Sequence, residues 1–231
     1  MNRIAKSLVL LSAVAAAGSA NADFGDVCPY VGIDYYHAWM KGKNFTRANG
    51  NVVEFSRLLP KSYPGVSLYI GAKFHEYFGL EFGVETSTTK SRTLSDSDKA
   101  AFGIPSSTAA KFKVRRSGAH LDLVGTLPLN ECFDLLGFVG WGWIKPKVSF
   151  DEVDQSGDHT ITPASAKGKS VARVAVGASY LITDTIGLRA KLGWEGTSVL
   201  KVNTVNMIGE GSKVKLFKDS MTASIGAFVK F

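Results

Sequence analysis

The feature that most constrains this chain is an alternation of apolar and polar residues that recurs along its whole length. Val66, Leu68, Ile70, Ala72 and Phe74 take one side, while Ser67, Tyr69, Gly71 and Lys73 take the other. A period of two is the signature of a strand with two unlike faces. The same pattern sets Val31, Ile33, Tyr35 and Trp39 against Gly32, Asp34 and Tyr36, then Phe78, Leu80, Phe82 and Val84 against Gly79, Glu81, Gly83 and Glu85. It returns around Leu121, Trp141, Val176 and Leu192, and finally in "SIGAFVKF" at Ser224 to Phe231. Eight strands follow.

The connections alternate in length. "HEY", "PLNEC" and "ITDT" are tight, whereas the intervening segments run to about twenty residues, well beyond an ordinary hairpin loop. An up-and-down meander with short turns at one end and long loops at the other is the pattern of an outer-membrane barrel. The expected fold is therefore all-β: an eight-stranded antiparallel up-and-down transmembrane barrel. Beyond the N-terminal segment, no stretch is long and apolar enough for a membrane helix.

A soluble cup would turn its apolar faces inward. Here the polar faces carry the glycines and the apolar faces carry almost no charge, which suits a crowded polar interior and a lipid-facing wall. All four tryptophans, Trp39, Trp141, Trp143 and Trp194, fall on apolar faces at the long-loop ends of their strands, as an interfacial aromatic belt requires. Tyr30, Tyr77, Phe78, Phe133 and Phe231 are expected to form a second belt at the other end.

The segments "GAKFHEYFGLEFGVE", "LLGFVGWGW", "ITDTIGLRAKLGW" and "SIGAFVKF" resemble the small outer-membrane barrels of the OmpA/OmpX type, including opacity-protein-like members. The resemblance covers the mature chain and implies an architecture, an assembly route and a place in the outer membrane. It implies surface or envelope work without catalysis, in a monomer. It also implies that Phe231, ending an alternating apolar run, is the assembly signal read by the barrel-insertion machinery. No residues follow Phe231 for the peptidoglycan-binding domain of OmpA-like proteins, so none is expected.

At the N-terminus, Arg3 and Lys6 precede the apolar "SLVLLSAVAAAG" and then Ala20-Asn21-Ala22, the pattern of a cleavable secretory signal. The expected division is a signal peptide over 1–22 and a barrel over 23–231.

The formal charge of the chain is +7. Basic residues concentrate in the long loops, including Lys41, Lys43, Arg92, Lys111, Lys113, Arg115, Lys145, Lys147, Lys213, Lys215 and Lys218, while the short-turn end is acidic. The expected anionic partner is lipopolysaccharide in the outer leaflet. A host or surface ligand at the loops is a second reading, and nucleic acid is not expected, since no aromatic residues interleave with the basic ones. Inside, Asp34, Glu81, Glu85, Asp122 and Glu195 face Lys73, Arg116, Arg173, Arg189 and Lys191 in equal number, with His120 among them. Buried charges are tolerated when paired, and an eight-stranded barrel is just wide enough for side chains to fill. The set reads as an ion-pair plug, or as the lining of a narrow pore.

Cys28 and Cys132 both fall at the periplasmic end, where a disulfide is permitted. Such a bridge would have to span the ring from strand 1 to strand 5. His120 lies two residues from Asp122, a base-and-orienter spacing, but no serine stands in the H-x-S arrangement of lipid A deacylases; His37 falls near Trp39 on the lipid face. No catalytic, metal or cofactor site is expected. The functional expectation is a structural or surface barrel acting in envelope integrity and attachment. A small porin is the alternative, and a lipid A-modifying enzyme a distant third.

Overall fold

The computed structural model describes residues 27–43, 45–46, 52–53, 59–102, 105–153, 159–165, 168–197, 201–203, 213–215 and 217–231. The signal segment expected over 1–22 lies outside them. Eight strands form the wall: β1 (Cys28–Gly42), β2 (Ser62–His75), β3 (Phe78–Ser87), β4 (Ala109–Pro128), β5 (Phe133–Val153), β6 (Lys169–Leu181), β7 (Ile186–Glu195) and β8 (Phe217–Lys230). Each pairs antiparallel with the next in sequence, and β8 pairs with β1 to close the ring. Closure removes the free edge that a sheet in lipid cannot leave unpaired.

The register fixes the shape. Following paired residues once round the ring leads from Trp39 through Met221, Trp194, Val174, Val139, Leu123, Leu80 and Ala72 to Pro29. The return point lies 39 − 29 = 10 residues lower on β1, so the shear is 10. At ~3.3 Å rise and ~4.7 Å strand spacing, eight strands with that shear tilt by about 41° and enclose a backbone cylinder about 8 Å in radius. A cylinder that narrow is filled by side chains. A Cβ on Gly83 would collide with the His120 ring, and one on Gly32 with the Tyr69 ring, so these glycines admit the large inward residues opposite them.

Two of the expectations need correction. The segments carrying Lys111, Lys113, Arg115, Lys145 and Lys147 are not loop: β4 and β5 continue as paired strands from Pro128 and Asp134 up to Ala109 and Val153. A short strand, Lys90–Thr93, pairs with the upper part of β4, and His159–Ser165 pairs with that of β5. A short helix, Asp96–Phe102, lies between the first of these and β4. Tyr30 does not join the lower aromatic belt, because it sits one residue out of phase with Val31 and Ile33 and places its hydroxyl on Glu81 inside the barrel.

The wall reverses polarity along its length. In the lower part of β4, Leu121, Leu123 and Leu127 are exposed on the outside while His120 and Asp122 are buried inside. In the upper part the outward residues are Lys111, Lys113 and Arg115, and the inward ones are Ala110, Phe112 and Val114, each almost wholly buried. On β5 the outward Val139, Trp141 and Trp143 give way to Lys145 and Lys147, and inward Gly140 and Gly142 to Ile144 and Val148. The side-chain period never breaks; only the solvent outside the wall changes.

Candidate functional site

The polar interior divides into two linked clusters. In the lower one, Arg189 of β7 reaches across the lumen to β1 and β3. Its Nε and Nη2 donate to the Asp34 carboxylate at 3.0 and 2.8 Å, and its Nη2 donates to Glu81 Oε1 at 3.1 Å, with Nη1 on Glu81 Oε2. Lys191 adds 3.0 Å to Asp34 and 3.6 Å to Glu81. The guanidinium lies 3.2 Å from the centre of the Tyr69 ring, a cation–π contact in a dry setting. In the upper cluster Arg116, fully buried, donates from Nε to Glu85 at 3.1 Å and pairs through Nη2 with Glu85 and, at 2.7 Å, with Glu195. Ser220 donates to Glu195 at 3.1 Å, and Ser87 accepts the Arg116 amide at 2.8 Å.

Arg173 joins the clusters, with Nε 3.4 Å from Asp122 and Nη1 3.8 to 3.9 Å from Glu195 and Glu85. His120 stands between them, its Nε2 3.9 Å from both Glu81 and Asp122. Among the described residues these three form the one group at metal-binding spacing, with donor atoms within 4.8 Å of each other. Arg189, Lys191 and Arg173 already engage its two carboxylates, so cationic side chains occupy the electrostatic place of an ion. A cavity of about 30 Å³ bordered by His120, Asp122, Arg173 and Lys191 remains inside the plug, room for a water.

Lys73 departs from the expected network. It sits at the short-turn end of β2 and pairs with Asp134 of β5 at 3.1 Å, beside a 90 Å³ vestibule that also borders Arg189 and Tyr30. The plug thus sets five carboxylates, Asp34, Glu81, Glu85, Asp122 and Glu195, against four fixed cations, Arg116, Arg173, Arg189 and Lys191, with His120 in their midst. Above it lies an apolar cap of Met40, Leu59, Tyr63, Leu94, Phe112 and Phe217, all 4% exposed or less.

Outside, Trp39, Trp141, Trp143 and Trp194 are all exposed. With the shear and tilt given above, their Cα atoms fall within about 8 Å of one another along the barrel axis. Phe74, Tyr77, Phe78, Tyr180 and Phe231 are exposed at the opposite end, roughly 20 Å lower by the same geometry. Arg115, Lys145 and Lys147 point outward just above the indoles, with Arg115 paired opposite Lys147 in the β4–β5 register. Sequence reasoning missed this collar by assigning it to loops.

It also missed a polar pair on the lipid-facing side: the Ser62 hydroxyl and His37 Nε2 lie 2.7 Å apart, with the His37 ring against Trp39 at 4.6 Å. Among the described residues no carboxylate is bonded to the other His37 nitrogen. The bridge weighed for Cys28 and Cys132 is not made: both thiols are free, since β1 and β5 stand four strands apart in the ring. Cys28 Sγ instead lies 3.7 Å from the Phe231 carbonyl oxygen, and the Phe231 amide donates to Pro29 O at 2.9 Å. The last residue is therefore tied to the first strand.

No curated protein matches the sequence. Among solved structures, the outer membrane protein AlkL in DMPC bilayers is 14% identical, with 92% of this chain and 94% of that one covered and a TM-score of 0.53. A major outer membrane protein from Thermus thermophilus is also 14% identical, over 88% of this chain and 99% of that one, with a TM-score of 0.51. At such identity the likeness is one of fold. A family model for the outer membrane protein beta-barrel domain matches residues 7–228. The closed eight-stranded ring, its lipid-facing wall and that match agree: the chain belongs to the outer membrane protein β-barrel family and resides in the outer membrane.

Proposed function

We propose that this barrel is a non-enzymatic, monomeric surface protein that stabilises the outer leaflet and presents a basic extracellular face for attachment. The observation that carries this reading is the collar of Arg115, Lys145 and Lys147, directed outward just above Trp141 and Trp143. Cations at that height meet the phosphate groups of lipopolysaccharide, where a guanidinium or ammonium makes charge-assisted hydrogen bonds. The plug and the apolar cap support a structural role over conduction. His120 and Asp122 are sealed inside, away from any lipid substrate, and the His37–Ser62 pair satisfies two polar groups at the interface.

Purified barrel carrying R115Q/K145Q/K147Q should retain several-fold less co-purifying lipopolysaccharide than the parent; equal retention would overturn the leaflet role. Steady single-channel conductance that changed with E81Q would instead favour the small-porin reading.

Assembly belongs to the same proposal. Residues 1–22 act as a cleaved signal, and Phe231, hydrogen-bonded to Pro29, serves as the signal for the insertion machinery. Deleting Phe231 should leave export intact and reduce heat-modifiable barrel in the outer membrane. Normal barrel levels in that deletion would refute this assignment.

A further inference from the structure

The extracellular rim on the β1–β8 side holds a cleft of about 660 Å³ whose border includes Lys41, Lys61, Arg92 and Lys218. Four cations from four separate segments converge there. Among the described residues none of the four has an ion-pair partner, although like charges brought together raise the energy of the free protein. Among the described residues Asp98 is the one carboxylate bordering the cleft, and it is engaged by Ser95, whose hydroxyl donates to it at 2.7 Å and whose amide donates at 3.3 Å.

The cations are not on loose loops, because the backbone at each is held. Gly42, next to Lys41, pairs with Phe217, next to Lys218. The Met40 amide donates to Lys61 O at 3.1 Å, and Thr197 Oγ1 donates to Lys218 O at 2.6 Å. Arg92 pairs in register with Phe112, and the following Leu94 amide donates to Ala110 O at 2.9 Å. Met40 and Phe217, the chain neighbours of Lys41 and Lys218, are themselves buried in the apolar cap, so these cations stand on packed backbone.

From this convergence we propose that the cleft is a binding site for a sugar carrying phosphate or sulfate esters. The volume is that of a small-ligand site. Several anionic groups on one compact ring system would neutralise all four cations, which the charge of one phosphate or sulfate ion does not match. Lysines serve as point charges for ester oxygens, and Arg92 supplies a planar fork for bidentate contact. This inference rests on the attachment reading above and gives it a ligand class, but it uses residues separate from the collar. The chemistry has two sources: the phosphorylated glucosamine backbone of the cell's own glycolipid, or a sulfated glycan on another surface.

The test uses the full-length barrel in lipid vesicles. Two fluorescent probes are titrated at low salt: a persulfated disaccharide and a deacylated, bis-phosphorylated glucosamine disaccharide. An uncharged disaccharide serves as control. At least one anionic probe should bind, tightening as salt falls, and K41Q/R92Q should weaken it tenfold or more while K230Q, at the opposite end of the barrel, leaves it within about twofold. The better-bound probe identifies the source. Binding lost only in the collar variant would overturn the cleft while leaving the leaflet role intact. Equal binding to K41Q/R92Q, or no binding by either probe, would also overturn it. The double variant must retain the heat-modifiable migration of the parent, and K41R/R92K, which keeps the charge, should restore most of the affinity.

Discussion

The membrane-spanning and extracellular parts of this barrel are built from the same strands by opposite rules. Below the tryptophans, β4 turns Leu121 and Leu123 outward and buries His120 and Asp122; above them it turns Lys113 and Arg115 outward and buries Phe112 and Val114. The lower part meets hydrocarbon, so its polar groups must find partners inside. The upper part meets water and packs as a soluble β-domain does, with an apolar core and a charged surface. Burial in the span therefore means ion pairing, and burial in the extension means apolar packing. The two regions should fail differently when cut.

The largest effects come from the two interiors. Arg189→Ala leaves Asp34 and Glu81 facing one another across the lumen with only Lys191 between them, a loss of about 3–5 kcal/mol for a broken buried pair. Phe112→Ala removes a fully buried ring from the cap and should cost about 3–5 kcal/mol. The difference lies in where the cost appears. In urea unfolding from lipid vesicles, R189A should lower the global midpoint, whereas F112A should chiefly raise proteolysis of the extension and spare the span. Identical global losses in both would show that the regions unfold as one.

The outer faces differ next. Leu121→Lys places an ammonium in the hydrocarbon and should cost about 2–4 kcal/mol. Ser149→Lys, on the outward face of the β5 extension beside Lys113, should change stability by less than about 0.5 kcal/mol. Comparable losses in the same unfolding assay would mean that the boundary lies elsewhere. The smallest effect is that of Ser62→Ala, which should leave lipid A acylation unchanged by mass spectrometry; a change in the acyl pattern would make the His37–Ser62 pair a catalytic dyad.

Much of this architecture is legible in the amino-acid sequence. The eight strands, their faces and the inward positions follow from a period of two that survives because each strand separates two unlike surroundings. The full length of β4 and β5 is not legible in the same way, because "KFKVRR" and "IKPKVS" keep the alternation but reverse its polarity, and basic outward residues read as loop when lipid is assumed outside. The signal is present as phase, with Phe112 and Val114 still in step with His120 and Asp122. The interior partners are hidden for a different reason. Arg189 meets Glu81 from four strands away, and a contact across a lumen depends on shear and side-chain reach, which strand pattern does not encode. Lys73 illustrates the limit: its inward face is readable, but its pairing with Asp134 at the mouth is not.

The most direct test of the polarity switch is labelling along the outward face of β4. In a variant with Cys28 and Cys132 replaced by serine, single cysteines at Lys111, Lys113, Arg115, Ala119, Leu121 and Leu123 would be exposed to a membrane-impermeant maleimide in lipid vesicles. Labelling should be rapid at Lys111, Lys113 and Arg115 and blocked at Ala119, Leu121 and Leu123, with the change falling near Ser117. Protection extending through Lys113, or labelling continuing down to Leu121, would contradict the polarity switch.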